Sequence, residues 1–457
     1  MAQRKPTQLH EPTAKPSPIC AYSVRLEDLA GMDDARAWGE ALQRDITDFR
    51  AGTIRWDDVD SACIVYGPPG TGKTTFAQAV ATSCTLPLIT TSYAAWQRNG
   101  EGHLGDVMQA IHGTFEAARL HRPCILFIDE IDTLPSRNHK SHHAEWFNSI
   151  NNALLEELDG TEALKRVVVI GACNDPSNLD PALLRPGRLG RLIEIPLPSL
   201  EALPGILRFH LGGDAKSIDD LDAIAVQCIG RSGADIAQLV RDARRSARKS
   251  RSRLAATHLL EVLAENLKDL SAADLTRIAV HEAGHGVIAL RLKVSDEINI
   301  CLSDRPHTAL NLRVAGAGAT SQSLQNILAM LLAGRAAEEI MLGAASAGAG
   351  GSANSDLAKA TEVAFNAVMA QGLGPEQSLV WYGMYNSHSQ MALFRPAAEE
   401  VEQLLDQAYA HAKSVVASEE ALIRLTAEML LRRRAIPHKD LVMMAAMLPT
   451  NINSRNA

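Results

Sequence analysis

The chain has 457 residues, a length that predicts about three domains of roughly 150 residues each. Its 45 Lys and Arg residues against 53 Asp and Glu residues give a net charge of −8, so we expect no nucleic-acid partner. The seven cysteines include no CxxC pair, which excludes a disulfide framework and indicates a reducing, cytoplasmic compartment.

The N-terminal stretch predicts no leader and no membrane anchor. Residues 1–20 carry four prolines among polar side chains, a composition typical of a disordered tail. The stretch has no apolar h-region, and no apolar run of the chain approaches the ~18 residues of a membrane helix. We therefore expect no direct membrane insertion. A helical pattern begins around residues 26–48.

A phosphate-binding loop follows the short apolar strand predicted at residues 63–66. The next residues match GxxxxGK[ST] in its strand–loop–helix context. Backbone N–H groups of such a loop surround phosphate oxygens, the lysine reaches the β- and γ-phosphates, and the hydroxyl ligates Mg²⁺. The loop consists of Gly67, Pro68, Pro69, Gly70, Thr71, Gly72, Lys73 and Thr74.

Two further buried strands are predicted at residues 125–128 and 167–170, and each leads to polar residues. Parallel α/β sheets bind ligands at the carboxyl ends of their strands. Asp129 would hold Mg²⁺ through water, and Glu130 would polarise the attacking water. Asn174 could orient that water.

Basic residues follow in two groups. Arg185 and Arg188 lie on a loop beyond the strands and are candidate fingers that reach a neighbouring γ-phosphate. Ser232 could cap a helix, and residues 241–253 contain seven basic side chains. A solvated helix face explains that cluster better than a DNA contact, because no aromatic residues are interleaved.

The sequence His281-Glu282-Ala283-Gly284-His285 lies within an apolar helical segment at residues 270–293. Residues four apart share one helix face, so both imidazoles can hold one Zn²⁺. Glu282 between them can serve as general base toward a metal-bound water. This pattern predicts a hydrolytic zinc site.

A zinc site with two histidines needs a third protein ligand, and three carboxylates are candidates. Short strands are predicted at residues 298–314 and a helix at residues 324–341, followed by a loop. Asp356 begins the next helix, which Asn354 or Ser355 could cap, and is our candidate ligand. By chemistry alone, Glu338 and Glu339 compete with it. Amphipathic helix is predicted at residues 396–445.

From about residue 24 to 445 the chain resembles the FtsH family of ATP-dependent zinc metalloproteases. The resemblance implies an α/β AAA+ P-loop domain, a parallel sheet flanked by helices, with a small helical subdomain and then a mainly α-helical M41-type peptidase domain. It implies ATP, Mg²⁺ and Zn²⁺ as cofactors. The expected boundaries are a tail at 1–20, the large ATPase subdomain at 21–197, the small subdomain at 198–262 and the peptidase domain at 263–457.

The resemblance also implies roles for individual residues. Gly67 to Thr74 match the phosphate loop, and Ser232 to Asp235 match the small subdomain that closes over the nucleotide. The segment 332–340 resembles the helix before the family's third zinc ligand, which favours Asp356. The other matched residues are Asp129 and Glu130 for Mg²⁺ and water activation, Asn174 as sensor, Arg185 and Arg188 as fingers across subunits, His281 and His285 as zinc ligands, and Glu282 as general base.

The chain departs from the family in two ways. The family carries transmembrane segments before the ATPase domain, and we expect none here. The family's pore loop has an aromatic residue before a Val-Gly step, where this chain has His103-Leu104-Gly105. His103 would grip a polypeptide poorly, although Trp96 could replace the aromatic residue.

These observations predict an ATP-dependent zinc endopeptidase that acts in protein quality control on unfolded or tagged proteins. The expected assembly is a homo-oligomer, a hexamer by the resemblance. Two alternatives belong to other classes of protein. One is a AAA+ remodelling chaperone whose peptidase domain is structural or weakly active, and the other is a DNA-associated AAA+ protein.

Overall fold

The computed structural model describes residues 24–98, 103–134, 144–159, 166–265, 270–302, 307–312, 320–347, 350–351, 355–376, 379–383 and 395–448. The chain divides into two compact units, which are described separately. The first contains Met1–Gly212 and Arg231–Gln238, and the second contains Gly213–Gly230 and Leu239–Ala457. The tail predicted at residues 1–20 lies outside the described residues.

The first unit is built on a five-stranded parallel sheet with the order β2-β3-β4-β1-β5. Three of these strands were predicted, and the structure lengthens each of them; the two edge strands were not predicted. The strands are β1 (Ala62–Tyr66), β2 (Leu88–Ser92), β3 (Cys124–Asp129), β4 (Val167–Cys173) and β5 (Leu192–Glu194).

Helices cover both faces of this sheet. They are α1 (Asp33–Ala51), α2 (Lys73–Cys84), α3 (Tyr93–Gln97), α4 (Leu104–Leu120) and α5 (Ala144–Asp159), and the unit also contains α6 (Leu203–Leu211). Alternate residues of a strand point to opposite faces. Phe127 of β3 therefore packs with the α1 and α2 side chains, whereas Leu126 and Ile128 pack with those of α4 and α5. A parallel sheet buried on both faces is the expected α/β arrangement.

The second unit is mainly helical, with one small antiparallel sheet of order β7-β6-β8. Its strands are β6 (Ser295–Cys301), β7 (His307–Leu312) and β8 (Ala435–Ile436). Its helices are α7 (Leu221–Gln227), most of α8 (Gly233–Lys249), α9 (Ala256–Glu265), α10 (Ala272–Arg291), α11 (Ser321–Leu342), α12 (Asp356–Met369), α13 (Arg395–Ser418), α14 (Glu420–Arg433) and α15 (His438–Met447).

The core of the second unit lies between α10, α11 and α14. Val287 and Ile288 of α10 are fully buried there, together with Ala333 of α11 and Leu430 of α14. The fold class predicted from the sequence, a parallel α/β domain followed by a mainly helical domain, is therefore confirmed. None of the helices in the described ranges has the length and apolar character needed to cross a lipid bilayer.

Candidate nucleotide and metal sites

The phosphate loop connects β1 to α2, and its lysine already contacts the polar residue predicted at the next strand tip. Lys73 Nζ lies 2.7 Å from the Gly67 carbonyl oxygen, 3.1 Å from that of Pro68 and 2.9 Å from Asn174 Oδ1. Gly72, at φ 101°, precedes α2 in a left-handed conformation that favours glycine. The loop thus opens on the N-terminus of a helix, where phosphate is favoured.

The two acids predicted at the end of β3 lie next to this loop. The Thr74 hydroxyl donates to Asp129 Oδ2 at 3.3 Å, so the two proposed Mg²⁺-binding groups are adjacent. Glu130 adopts a left-handed φ of 51°, a conformation uncommon for residues other than glycine and often found at functional sites.

Asp132 is a site residue that the sequence analysis missed. Its carboxylate accepts the backbone N–H groups of Asn174 at 2.8 Å and Asp175 at 3.5 Å. These bonds hold the tip of β4 beside Lys73, and Asp132 lines a cavity that the phosphate loop also lines. Its position in the acidic run that begins at Asp129 is the signal that could have identified it.

A cavity of 470 Å³ joins these residues within the first unit. Its polar lining includes phosphate-loop residues 69–74, Asp129 and Asn174. Its apolar lining includes the side chains of Leu29, Met32 and Ile206. The volume lies within the range of small-molecule sites, and the mixed lining suits a ligand that has both a charged and an apolar part.

The segment Ser232–Asp235 also borders this cavity. The Ala234 backbone N–H donates to the Gly70 carbonyl at 3.0 Å, so the segment contacts the phosphate loop directly. Ser232 and Asp235 exchange hydrogen bonds of 2.9 and 3.2 Å between side chain and backbone N–H, which is the capping box expected at a helix start.

The two candidate arginine fingers differ in their surroundings. Arg185 is exposed. Arg188 forms a two-point ion pair with Asp159 at the end of α5 and donates to the Ala182 carbonyl at 2.6 Å. The hydrogen bond from Arg188 lowers the pKa of the Asp159 carboxyl. Arg188 is therefore bound within its own chain.

The two candidate pore residues can be compared directly. Trp96 is 2% exposed, and its indole N–H donates to the Thr114 hydroxyl at 3.1 Å. It belongs to the hydrophobic core, so the idea that it replaces the family's aromatic grip is wrong. His103 is exposed at the start of α4, where it precedes the first helical residue. The residues between them, 99–102, lie outside the described ranges.

In the second unit, the three predicted metal ligands converge. His281 Nε2 lies 3.1 Å from both Asp356 Oδ2 and His285 Nε2, and His285 Nε2 lies 3.3 Å from Asp356 Oδ2. One ligand atom from each residue falls within a group spanning 4.8 Å or less. Two imidazoles and a carboxylate are the donor set of a catalytic zinc site. The residues present therefore fit a zinc ion.

The other ring nitrogens of the two histidines are held by separate partners. His281 Nδ1 lies 2.8 Å from Glu338 Oε1, and His285 Nδ1 lies 2.8 Å from the Met330 carbonyl oxygen. In a metal-bound imidazole, acceptors placed in this way favour the tautomer with the proton on Nδ1 and leave Nε2 for the metal. By chemistry alone Glu338 was a competing candidate for the third ligand. The structure places it at Nδ1 of His281, on the opposite side of the imidazole ring from Asp356.

The contacts of His281 with nearby carboxylates shift the pKa values of both partners. Burial lowers the pKa of His281, but hydrogen bonds to Asp356 and Glu338 outweigh it and raise the pKa to about 10. Burial raises the pKa of Asp356, yet its contacts with both imidazoles hold that pKa well below its ordinary value. A cation is therefore favoured between these groups, and a bound metal would compete with a proton for the same place.

Glu339, the other competing carboxylate, belongs to a different cluster. Its two oxygens accept from the Tyr409 hydroxyl and the Lys413 ammonium, each at 2.6 Å.

Glu282, the proposed base, is buried on α10 between the two histidines. Ser355 rather than Asn354 is the cap of α12, since its side chain accepts the Ala358 N–H at 3.3 Å. Asn354 lies outside the described residues.

Gly334 of α11 leaves room for the side chains of the candidate metal site, His281, His285 and Asp356. A Cβ atom at this position would lie 2.5 Å from Nε2 of both His281 and His285, a separation at which one of the groups must move. We expect Gly334→Ala to abolish stable zinc binding, as measured by metal content after gel filtration. Gly113→Ala on α4, where a Cβ meets nothing within 4 Å, is the matched control. Wild-type zinc content in Gly334→Ala would contradict this geometry.

The sequence matches known protein families over the regions that contain both candidate sites. Residues 63–197 match the model of the ATPase family associated with various cellular activities (AAA), and residues 268–444 match that of peptidase family M41. The chain is 32% identical to "ATP-dependent zinc metalloprotease FtsH 2" of Symbiobacterium thermophilum, over 91% of this chain and 74% of that protein. The chain belongs to the FtsH family. Similar FtsH proteins occur in Acidothermus cellulolyticus, at 36% identity over 84% of this chain, and in Thermus thermophilus, at 31% over 94%.

The chain spans 60% of the Acidothermus FtsH protein and 72% of the Thermus protein. The AAA match includes the phosphate loop, Asp129 and Asn174 of the first unit, and the M41 match includes His281, His285 and Asp356 of the second. The family assignment therefore rests on two separate regions of one polypeptide.

Proposed function

We propose that this protein is an ATP-dependent zinc metalloendopeptidase. The observation that carries the proposal is the convergence of His281, His285 and Asp356 in a chain that also holds a complete phosphate loop. Unfolded or tagged proteins in the cytoplasm are the proposed substrates. The proposed assembly is a homo-oligomer, a hexameric ring, in keeping with membership of the FtsH family.

In the peptidase site, His281, His285 and Asp356 would hold zinc. Zinc at this place would supply a Lewis acid for the scissile carbonyl and would lower the pKa of a water to about 7. Glu282 takes the proton from the attacking water and passes it to the leaving amine. Glu338 and the Met330 carbonyl keep the two imidazoles oriented throughout, because each occupies an Nδ1 position.

In the ATPase site, Lys73 would move from its present oxygen partners to the β- and γ-phosphates. Thr74 and Asp129 would hold Mg²⁺, and Glu130 with Asn174 would orient the attacking water. Arg185 and Arg188 act on the nucleotide of the neighbouring subunit, for which Arg188 exchanges its Asp159 partner for a phosphate. The proposed domains are 21–197, 198–262 and 263–457, after a tail at 1–20.

A casein degradation assay tests the proposal. Full activity is expected with ATP and zinc, and loss of activity is expected when either ATP or the metal is removed, the latter by a chelator. Zinc restored after chelation should return the activity. Casein cleavage that is insensitive to the chelator would contradict the metal site. ATP turnover without any cleavage would instead favour a remodelling chaperone.

Casein is chosen because it has little stable structure to unfold. His103 stands where the family has an aromatic grip, and Trp96 is held in the core by Thr114. An imidazole buries less apolar surface against a polypeptide than an aromatic ring does. We therefore propose that this chain pulls weakly and degrades unstructured substrates in preference to stable folded ones.

A further inference from the structure

Arg277 lies one helical turn before His281 on α10, and no motif of the sequence predicts a role for it. Its guanidinium Nη1 donates to Glu338 Oε2 at 2.9 Å. The other oxygen of that carboxylate, Oε1, is the one that contacts His281 Nδ1. Since the Glu338 side chain is 2% exposed, its negative charge is stable there only when it is paired and hydrogen-bonded.

The same guanidinium also reaches the loop that leads toward the third metal ligand. Arg277 Nη1 lies 2.7 Å from the carbonyl oxygen of Ala344, just beyond α11. Glu338 Oε2 accepts the backbone N–H of Ser346 at 2.7 Å, so both members of the ion pair bind this loop. Ser355 and Asp356 come after the 343–347 loop in the sequence, and Asp356 begins α12.

We propose that Arg277 is a positioning residue for the metal site. It fixes the Glu338 carboxylate against His281, and it ties the 343–347 loop to the helix that carries both histidines. The inference rests on the proposed zinc site and adds a residue that never touches the metal. Contacts of this kind around metal-bound histidines typically account for about ten- to a hundredfold in metal affinity.

Arg291, on the same helix, provides a matched control. It also forms an ion pair with a buried glutamate, at 2.9 Å from Glu419, and it also donates to a carbonyl, that of Leu448 at 3.1 Å. Its side chain is 24% exposed against 34% for Arg277, and its partner is 3% exposed against 2% for Glu338. Neither Arg291 nor Glu419 contacts a metal ligand in these bonds.

The experiment measures zinc affinity of the full chain by competition with a chromogenic chelator, and the absorption spectrum of the cobalt-substituted protein. Arg277→Ala is expected to weaken zinc binding by about ten- to a hundredfold and to alter the cobalt spectrum. Arg277→Lys keeps a cationic donor and is expected to recover part of the affinity. Arg291→Ala is expected to lower the melting temperature but to leave the zinc affinity and the cobalt spectrum unchanged.

Three outcomes would overturn the inference. One is wild-type zinc affinity and cobalt spectrum in Arg277→Ala. Another is an equal loss of affinity in Arg277→Ala and Arg291→Ala, which would mean general destabilisation of α10. The third is wild-type protein that binds no zinc, which would contradict the proposed function together with the inference, whereas the first two outcomes contradict the inference alone. Should Arg277→Ala not fold, Arg277→Gln is measured by the same criteria.

Discussion

Replacing Glu282 by Gln is expected to lower casein degradation by about a hundred- to ten-thousandfold, the usual contribution of a general base. The amide has nearly the same shape as the carboxylate but cannot take a proton from water. The proposed zinc ligands His281, His285 and Asp356 are unchanged in this variant, so zinc content should not change. ATP turnover should also continue, because the phosphate loop lies in the other unit. The measurement compares casein cleavage, ATP turnover and zinc content in one preparation.

Glu339→Gln is the matched control for this variant. Glu339 is also a glutamate of the helical unit, but its oxygens bind Tyr409 and Lys413. We expect its casein degradation to stay close to that of wild type. Normal degradation by Glu282→Gln would rule out Glu282 as the base, whereas loss of zinc would assign it a structural role.

Replacing Glu130 by Gln is expected to lower ATP turnover by about a hundredfold or more while nucleotide binding persists. Glu130 follows β3 and lines the cavity together with Lys73, Thr74 and Asp129. The amide cannot polarise water as a carboxylate does, but it leaves the Thr74–Asp129 contact for Mg²⁺ intact. ATP turnover and the affinity for a fluorescent ATP analogue are measured together.

Two further variants serve as controls for Glu130→Gln, one that should lose nucleotide binding and one that should change nothing. Lys73→Ala should lose nucleotide affinity as well as turnover, because we propose that the Lys73 ammonium binds the β- and γ-phosphates. Glu145→Gln, which changes an exposed carboxylate in the first turn of α5, should alter neither quantity. An unchanged rate of ATP turnover in Glu130→Gln would remove the proposed assignment of the catalytic acid.

The central strands could be predicted from the sequence, and the edge strands could not. β3 and β4 are continuous apolar runs because both faces of the sheet are covered. β2 contains Thr90 and Thr91, and β5 has only three residues, two of them exposed. Short or polar edge strands depend on their neighbour for pairing, so local pattern alone does not reveal them.

The convergence of His281 and His285 could be predicted because their spacing in the sequence places them on one helix face. His281 and His285 are one turn apart on a helix, whatever the rest of the fold does. The partner of His281 could not be predicted, because Glu338 lies 57 residues away in sequence and three carboxylates were equally suitable by type. The burial of Trp96 could not be predicted for a related reason, since Trp96 packs with residues distant in sequence and donates to Thr114 of another helix.

The position of Asp356 on α12 has a consequence for the stability of its negative charge. Asp356 is the first residue of the helix that Ser355 caps, so its carboxylate lies at the positive end of the helix dipole. This end of the helix stabilises the anion whether or not a metal ion is bound. The carboxylate is in this sense preorganised, and we expect zinc binding to require little movement of the polypeptide around it.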